Sequence, residues 1–242
     1  MIAAGNTDVG RVRTENQDCY DYRICSENLA WAVVCDGMGG ANGGNIASSM
    51  AVTAIREQLE KSVLQKLSPN SIKLILFSAL AAANSLVFDR GAKNQELAGM
   101  GTTAVAVMVL DNTAYIAYAG DSRLYHIRDG RAKLVTKDHS VVQVLVDDGK
   151  ITEEEAKTHP KKRYITKALG VQASVDPDYR EETLEPGESL LLCTDGLTNY
   201  VDNEEIGPVV KERSEQGAVN HLIALANERG GSDNITAVIL TV

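Results

Sequence analysis

Several features that would assign the chain to a familiar class are missing from its 242 residues. No run of about 18 apolar residues occurs, so the sequence predicts no membrane-spanning segment. Residues 1–6 lack a basic stretch followed by an apolar one, which argues against a secretory signal. Basic residues are not in excess, because the net charge is -9, and a surface of that sign repels nucleic acid. The sequence therefore argues against both membrane spanning and nucleic-acid binding.

Cysteine pairs, repeats and linkers are missing as well. None of the four cysteines (Cys19, Cys25, Cys35 and Cys193) belongs to a C-x-x-C pair, and three lie in apolar, strand-like runs. Buried free thiols are typical of a reducing compartment, so we expect a cytoplasmic protein. No internal repeat, low-complexity stretch or Pro/Gly/Ser-rich linker divides the chain, which favours one domain over residues 1–242.

Short apolar runs rich in strand-forming residues recur along the chain. They predict five β-strands, at residues 29–35, 103–109, 114–118, 190–193 and 235–240. The dipeptide Asp111-Asn112 joins the second of these strands to the third, and Asp129-Gly130 is the turn of another hairpin, whose arms are residues 124–127 and 132–135. Hairpins of this kind predict antiparallel sheets.

Apolar residues at helical spacing predict three helices. They cover residues 47–59, 69–86 and 219–226, and the second begins with Ser68 as N-cap and Pro69 at the first helical position. A helix with one apolar face must pack on a sheet. Two stacked antiparallel sheets with helices on the outside satisfy all of these constraints.

Residues 140–170 differ in character from the rest and predict a small helical insertion. Thr152 followed by three glutamates is typical of a helix start, and Asp148-Gly149 is typical of a helix end. The basic run 161–163 has two interpretations: it contacts a phosphopeptide, or it is solvated surface. A glycine-rich run at 39–44 precedes a helix but lacks the Lys-Ser/Thr of a P-loop, so we predict a flexible turn there.

Aspartates occur at the ends of several predicted strands. Asp36, Asp121 and Asp195 follow strands, whereas Asp18 and Asp233 precede them. Because the end of one antiparallel strand lies beside the start of the next, these carboxylates can meet at one rim. Gathered carboxylates repel each other, and Mg²⁺ or Mn²⁺ suits such an oxygen-rich site. An Asp-Gly dipeptide is equally typical of a plain turn, as at residues 129–130.

Six motifs, in order from about residue 5 to the C-terminus, resemble those of the type 2C metal-dependent protein phosphatases. They are Asp8-x-Gly10-x-Val12-Arg13-x-x-Asn16-Gln17-Asp18, Asp36-Gly37-Met38-Gly39-Gly40, Gly99-Met100-Gly101-Thr102-Thr103, Ala119-Gly120-Asp121-Ser122-Arg123, Thr194-Asp195-Gly196 and Ser232-Asp233-Asn234. The short length and Asp-Gly-Met-Gly-Gly resemble the bacterial branch most.

The resemblance implies an α+β fold, a four-layer α-β-β-α sandwich of two central antiparallel sheets flanked by helices, with a flap at about 140–170. It also implies a set of metal ligands. Asp36 would bridge two cations, Mn²⁺ or Mg²⁺, and the carbonyl of Gly37 would bind one of them. Asp195 and Asp233 would hold the first cation, and Asp18 would serve the second through bound water.

Two further positions take roles from the resemblance. Asp121 matches the acid that serves a third, weaker ion in bacterial members, and Arg13 matches the arginine that grips the phosphate. Two cations that share one water give a hydroxide near neutral pH, which attacks phosphorus without a phosphoenzyme. Gln17 and Met38 depart from the eukaryotic pattern, since Met38 replaces a histidine thought to protonate the leaving group. None of the four histidines occupies that position.

The resemblance therefore implies a monomeric, cytoplasmic bacterial enzyme. It would remove phosphate from phosphoserine and phosphothreonine in proteins and oppose a serine/threonine kinase. Two alternatives stay open: a catalytically silent member that binds phosphoproteins, and an ion-stabilised scaffold without a substrate.

Overall fold

A computed structural model describes residues 1–63 and 67–242. Within these ranges it contains eleven strands and seven helices. The strands are β1 Ile2–Asp8, β2 Asp18–Ser26, β3 Leu29–Met38, β4 Gly101–Thr102, β5 Ala104–Leu110, β6 Thr113–Ala119, β7 Arg123–Arg128, β8 Arg131–Leu134, β9 Asp178–Thr183, β10 Ser189–Cys193 and β11 Ile235–Thr241. The helices are α1 Gly40–Ser62, α2 Pro69–Lys93, α3 Val141–Asp147, α4 Glu153–Thr158, α5 Asp195–Thr198, α6 Asn203–Glu212 and α7 Glu215–Glu228.

The strands form two antiparallel sheets. In the described residues the first sheet has the order β1-β11-β10-β7-β8, and the second has the order β2-β3-β5-β6-β9, with the short β4 paired to β3. Both predicted hairpins are present, because β5 pairs with β6 and β7 pairs with β8. Their turns contain Asp111 and Asp129 at positive φ, which aspartate tolerates better than most residues.

Three apolar layers hold the sheets and helices together. Alternate residues of β3 serve two of them: Trp31 and Val33 face α1 and α2, whereas Ala32 and Val34 face the other sheet. Helices α6 and α7 cover the outer face of the first sheet. This α-β-β-α order confirms the predicted sandwich, and strands buried on both faces explain the uninterrupted apolar runs in the sequence.

Helix α2 begins as predicted. Ser68 caps it by accepting a hydrogen bond from the Ser71 backbone N–H, and Pro69 follows at the first position. Among the described residues α2 is the helix that is long and apolar enough to cross a membrane, with a mean hydropathy of 1.7. One face of α2, which includes Leu76 and Leu80, is fully buried in the core.

The glycine-rich run 39–44 was predicted to be a flexible turn, and this prediction is wrong. Helix α1 begins at Gly40. The glycines serve close packing instead: a Cβ on Gly43 would lie 3.0 Å from the Cβ of Met100, and one on Gly44 would lie 2.6 Å from the Oε1 of Gln17. The start of α1 can therefore approach the loops beside it more closely than a chain with side chains would allow.

Candidate active site

One end of the sandwich carries an acidic cleft of about 500 Å³. Four of the predicted ligands, Asp36, Asp121, Asp195 and Asp233, line it together with Gly37. The fifth, Asp18, is buried directly opposite Asp36 in the register of β2 and β3. The structure thus brings all the sequence-predicted ligands to one place, although they are spread over more than 200 positions of the chain.

The backbone around Asp36 is held on both sides. Its N–H donates to the hydroxyl of Thr103 at 2.9 Å, and its carbonyl accepts from the Thr102 hydroxyl at 2.8 Å and from the Thr103 N–H at 2.8 Å. Burial raises the pKa of Asp36 well above its usual value, and repulsion from Asp18 and the other cleft carboxylates adds to the effect. The backbone at Asp36 is therefore fixed in place, and the carboxyl group is costly to ionise.

Asp18 lies beneath the cleft with its two oxygens in different surroundings. Its Oδ2 accepts hydrogen bonds from the hydroxyls of Thr194, at 2.8 Å, and Thr236, at 2.7 Å. Its Oδ1 is buried and has no hydrogen-bond partner among the described residues. Burial raises the pKa of Asp18 to about 7, while the two hydroxyl bonds lower it. An orphaned carboxylate oxygen in this position is suited to a cation or to water bound to one.

Asp121 and Asp195 follow the ends of strands, as predicted. Asp121 comes two residues after β6, and burial together with repulsion from Asp195 raises its pKa to about 8. Asp195 opens helix α5, and Asn199 one turn later donates to its Oδ2 at 3.0 Å. The pKa of Asp195 is also raised, first by burial and then by repulsion from Asp233.

Arg13 reaches the cleft from the loop between β1 and β2. Its guanidinium donates to Oδ2 of Asp233 at 2.9 Å, and this bond is the main cause of the raised pKa of Arg13. Gly10 lets the loop pass close to β11, because a Cβ there would lie 2.2 Å from the carbonyl oxygen of Asp233. A fixed positive charge thus stands at the rim of an otherwise acidic cleft.

Asn234 organises this loop, and the sequence reasoning gave it no role. Its Oδ1 accepts from the Gln17 N–H at 2.8 Å, and its Nδ2 donates to the carbonyls of Val9 and Glu15, each at 2.9 Å. One buried side chain therefore anchors both ends of the loop that presents Arg13. The signal available beforehand was its place directly after Asp233 in the last motif.

Close packing requires a glycine at position 37, independently of the predicted role of its carbonyl as a ligand. A Cβ at this position would lie 2.0 Å from the carbonyl oxygen of Gly44 and 2.7 Å from that of Gln17. The Gly37 N–H donates to the same Gln17 carbonyl at 3.0 Å. The predicted role of its own carbonyl as a ligand stays a prediction.

The donor set fits hard divalent cations. The described residues contain no group of three His, Cys, Asp or Glu side chains close enough together to surround an ion. Mg²⁺ and similar ions do not need one, because they keep several waters and use one or two carboxylates each. The orphaned Oδ1 of Asp18 and the carboxylates that line the cleft are suited to such partial coordination. Bound cations would offset the mutual repulsion of these carboxylates.

The flap borders the cleft and contributes a second positively charged side chain. Helix α4 begins at the predicted cap, Thr152, and Ser140 caps helix α3. Of the basic run 161–163, the exposed Arg163 lines the cleft, where its charge lowers the pKa of Asp195. Ile165 lines the cleft beside it. The basic run therefore reaches the cleft through Arg163, which favours contact with a substrate over a purely solvated surface.

Comparison with known proteins gives a consistent result. The protein phosphatase 2C family profile matches residues 10–228. A putative protein phosphatase 2C-type of Streptococcus pyogenes serotype M6 is 39% identical over 235 residues, which are 97% of this chain and 94% of that protein. The solved serine/threonine phosphatase of S. agalactiae is 35% identical, with a TM-score of 0.91 over 100% of this chain and 99% of that one. A structure of the catalytic domain of serine threonine protein phosphatase PstP in complex with two manganese ions is 32% identical, with a TM-score of 0.85 over 98% and 96% of the two chains.

Proposed function

Because this chain belongs to the protein phosphatase 2C family, we propose that it removes phosphate from phosphoserine and phosphothreonine in proteins with the help of two divalent cations. Its class, serine/threonine protein phosphatase, follows from relatives that match nearly the whole chain. The observation that carries the proposal for the site is the gathering of five aspartates, from separate parts of the sequence, at or beneath one cleft beside Arg13.

The carboxylates divide the work of holding the cations. Asp36 would serve both cation sites, Asp195 and Asp233 would hold the first cation, Asp18 would serve the second through bound water, and the carbonyl of Gly37 would bind one of the two. This division is supported by the central position of Asp36, whose pKa responds to all four of the other carboxylates. When bound, two such cations lower the pKa of a water molecule and supply a nucleophile for phosphorus near neutral pH.

Residues of the chain itself bind and orient the substrate. Arg13 carries a planar set of N–H donors at the rim, which matches the oxygens of a phosphate dianion. In the described structure Arg13 donates to Asp233. When a phosphate binds, Arg13 exchanges this carboxylate for the phosphate as its anionic partner. Arg163 adds positive charge from the flap side. The guanidinium groups of Arg13 and Arg163 stabilise the negative charge that builds up on the phosphoryl oxygens during transfer.

The identity of the ions is part of the proposal. Mn²⁺ or Mg²⁺ fits oxygen donors of this kind, and the PstP structure with two manganese ions favours Mn²⁺. A third, weaker ion would bind at Asp121, which lines the cleft next to Asp195.

The surroundings of the enzyme follow from its chemistry. Phosphoserine and phosphothreonine arise in proteins by kinase action, so we infer a serine/threonine kinase as its counterpart in signalling. The four cysteines are free thiols, which supports a reducing, cytoplasmic location. Every residue assigned to the cleft lies in this chain, so the proposed site needs no second subunit, and we propose a monomeric enzyme with a single catalytic domain over residues 1–242.

Hydrolysis of an aryl phosphate and of a phosphoserine peptide tests the proposal. Both should proceed with Mn²⁺ and stop with an excess of chelator, and Asp36→Asn should be inactive under all conditions. Asp89→Asn removes the same charge from an exposed position of α2 and should behave as wild type. Phosphopeptide binding without hydrolysis would overturn the proposal and favour a silent phosphoprotein-binding member.

A further inference from the structure

Residues 138–140, at the start of the flap, anchor it to the cleft. Asp138 makes two hydrogen bonds with the partly buried guanidinium of Arg123, at 2.9 and 2.7 Å. Ser140 caps helix α3 and forms a β-bridge with Ile165 on the other side of the flap. His139, between them, makes contacts in both directions, so this segment is where the flap and the sandwich are joined.

The backbone and the side chain of His139 both bind Gly120. The His139 N–H donates to the Gly120 carbonyl at 2.9 Å, and the Gly120 N–H donates to Nδ1 of the His139 ring at 3.0 Å. Both peptide groups of Gly120 are therefore held by one residue. On the flap side, the Thr166 N–H donates to the His139 carbonyl at 2.7 Å.

The bond to Nδ1 also fixes the protonation of the ring. A backbone N–H can only donate, so Nδ1 is the bare nitrogen and the proton is on Nε2. Nε2 lies 3.2 Å from Oδ1 of Asp178, although the two are not aligned as a hydrogen bond. Burial and the nearby charge of Lys167 lower the pKa of His139, which agrees with a neutral ring stacked on Tyr118.

Gly120 is a sensitive point for Asp121. Its φ is +114°, and a Cβ there would lie 2.6 Å from the side chain of Thr103. On the other side of Asp121, the Ser122 hydroxyl bonds to the Thr103 hydroxyl at 2.7 Å, and that hydroxyl also accepts from the Asp36 N–H. The chain around Asp121 is thus held from the sandwich side by Thr103 and from the flap side by His139.

We propose that His139 is a positioning residue, whose Nδ1 holds the Gly120–Asp121 segment in place and so joins the base of the flap to the carboxylate of the third cation. The second half of this statement rests on the proposed role of Asp121. The first half concerns only the polypeptide and is tested without any cation.

Two substitutions separate the Nδ1 bond from the presence of a polar side chain. In His139→Asn the amide oxygen lies about where Nδ1 was and accepts from the Gly120 N–H. In His139→Gln the amide group extends to about the position of Nε2, so the Gly120 N–H is left without its acceptor. His221→Gln, on the exposed surface of α7, is the matched control.

Hydrogen exchange of the Gly120 amide in chelator-treated protein is the direct readout. We expect exchange to rise about tenfold or more in His139→Gln and to stay within about threefold of wild type in His139→Asn and in the control. The Thr166 amide bonds to a backbone carbonyl, so its exchange should stay unchanged in both variants. Equal exchange of Gly120 in the Asn and Gln variants, or a parallel rise at Thr166, would overturn the proposal.

Titration with Mn²⁺ by calorimetry tests the link to the cation. His139→Gln should weaken the third, weaker site about tenfold and leave the two tight sites unchanged, and His139→Asn should restore it. An unaffected third site in His139→Gln would overturn the link. Asp121→Asn should abolish that site, and if it does not, the proposed role of Asp121 fails while the amide exchange still decides on His139. If neither variant folds, the ¹⁵N spectrum of the wild-type ring decides, because a protonated Nδ1 contradicts the inference.

Discussion

Asp18→Asn should make the metal-free protein more stable although it removes a proposed active-site group. Asp18 is buried, with 9% exposure, and its Oδ1 has no hydrogen-bond partner among the described residues. Ionising it inside the fold is unfavourable, and its pKa is raised to about 7 from a usual value of 3.8. Asparagine has nearly the same shape without the charge, and its oxygen still accepts from the hydroxyls of Thr194 and Thr236. Its amide nitrogen takes the buried position of Oδ1, where it has no partner among the described residues, and this offsets part of the gain.

The size of the gain follows from the proton affinity. Each tenfold change in proton affinity corresponds to about 1.4 kcal/mol, so a pKa raised from 3.8 to about 7 destabilises the folded, ionised state by roughly 4 kcal/mol. This is an upper bound, because the carboxyls of the cleft titrate together and share the effect. We therefore expect Asp18→Asn to raise the free energy of unfolding by about 2 kcal/mol at pH 8.

The sign of the pH dependence is fixed by the direction of the pKa change. Between about pH 4 and pH 7 the folded wild type keeps a proton on Asp18 that the unfolded chain has lost, so its stability falls as the pH rises through this window. Above pH 7 the loss is complete. The advantage of Asp18→Asn should therefore be largest at pH 8, about half as large at pH 5.5, and close to zero near pH 4.

Urea unfolding in the presence of chelator measures this difference. Asp89→Asn, which removes an exposed aspartate of α2, is the control and should change stability little at any pH. With saturating Mn²⁺ the order should reverse, because the wild type binds the cation more tightly and gains stability from it. A variant that is less stable than wild type in chelator, or an advantage that does not change with pH, would refute the reasoning.

Three further outcomes are expected. Asp36→Asn should lower turnover of both aryl phosphate and phosphopeptide by about a hundredfold or more, and near-normal turnover at saturating Mn²⁺ would contradict its bridging role. Asp121→Ala should keep the two tight Mn²⁺ sites in calorimetry while phosphopeptide turnover falls about tenfold; loss of the tight sites would place Asp121 in the core. Alanine at residues 161–163 should raise the phosphopeptide KM several-fold more than the aryl phosphate KM, and equal effects would make the run plain surface.

The sequence revealed the interior strands and the hairpin arm β8 well, and the other edge strands poorly. Strands β3, β5, β6, β10 and β11 are buried on both faces, so their sequences are nearly continuous apolar runs. At the edges, β1 contains Gly5 and Asn6, and β9 is largely charged. These residues are depleted in strands, and what makes them strands is the partner beside them, which the sequence does not display.

Helix α6 shows the same limit for helices. It contains Pro208 and Gly207, both of which disfavour a helix interior, and it was not predicted. Tertiary packing overrides the propensity: Ile206 and its apolar neighbours are buried against the first sheet, and a Cβ on Gly207 would lie 2.2 Å from the Gly130 carbonyl oxygen. The glycine is thus a packing requirement that only the three-dimensional contact reveals.

The candidate site was predictable as a set of acids but not as an assembly. A carboxylate directly after an apolar, strand-like run is easy to recognise in a sequence, and the order of the motifs identified Asp36 and its partners as one set. The register that sets Asp18 opposite Asp36 depends on how β2 pairs with β3, and the sequence does not specify that pairing. The hydrogen bonds of Asn234 and His139 to backbone groups are likewise invisible, since any polar side chain in a loop has many such partners available.

The contacts of the four histidines bear on which group gives a proton to the leaving oxygen. His126 is bound to Glu188 at 2.7 Å, His139 accepts from Gly120 through Nδ1, and none of the four histidines is among the residues that line the cleft. Met38 does line the cleft, at the position where the resemblance expects a histidine, and a thioether has no proton to donate. We therefore expect a serine alkoxide to receive its proton from water in the cleft, whereas an aryl oxide leaves without one. A phosphoserine peptide therefore needs proton donation in this cleft, whereas an aryl phosphate does not. The ratio of the two turnover rates reports on proton donation independently of phosphate binding.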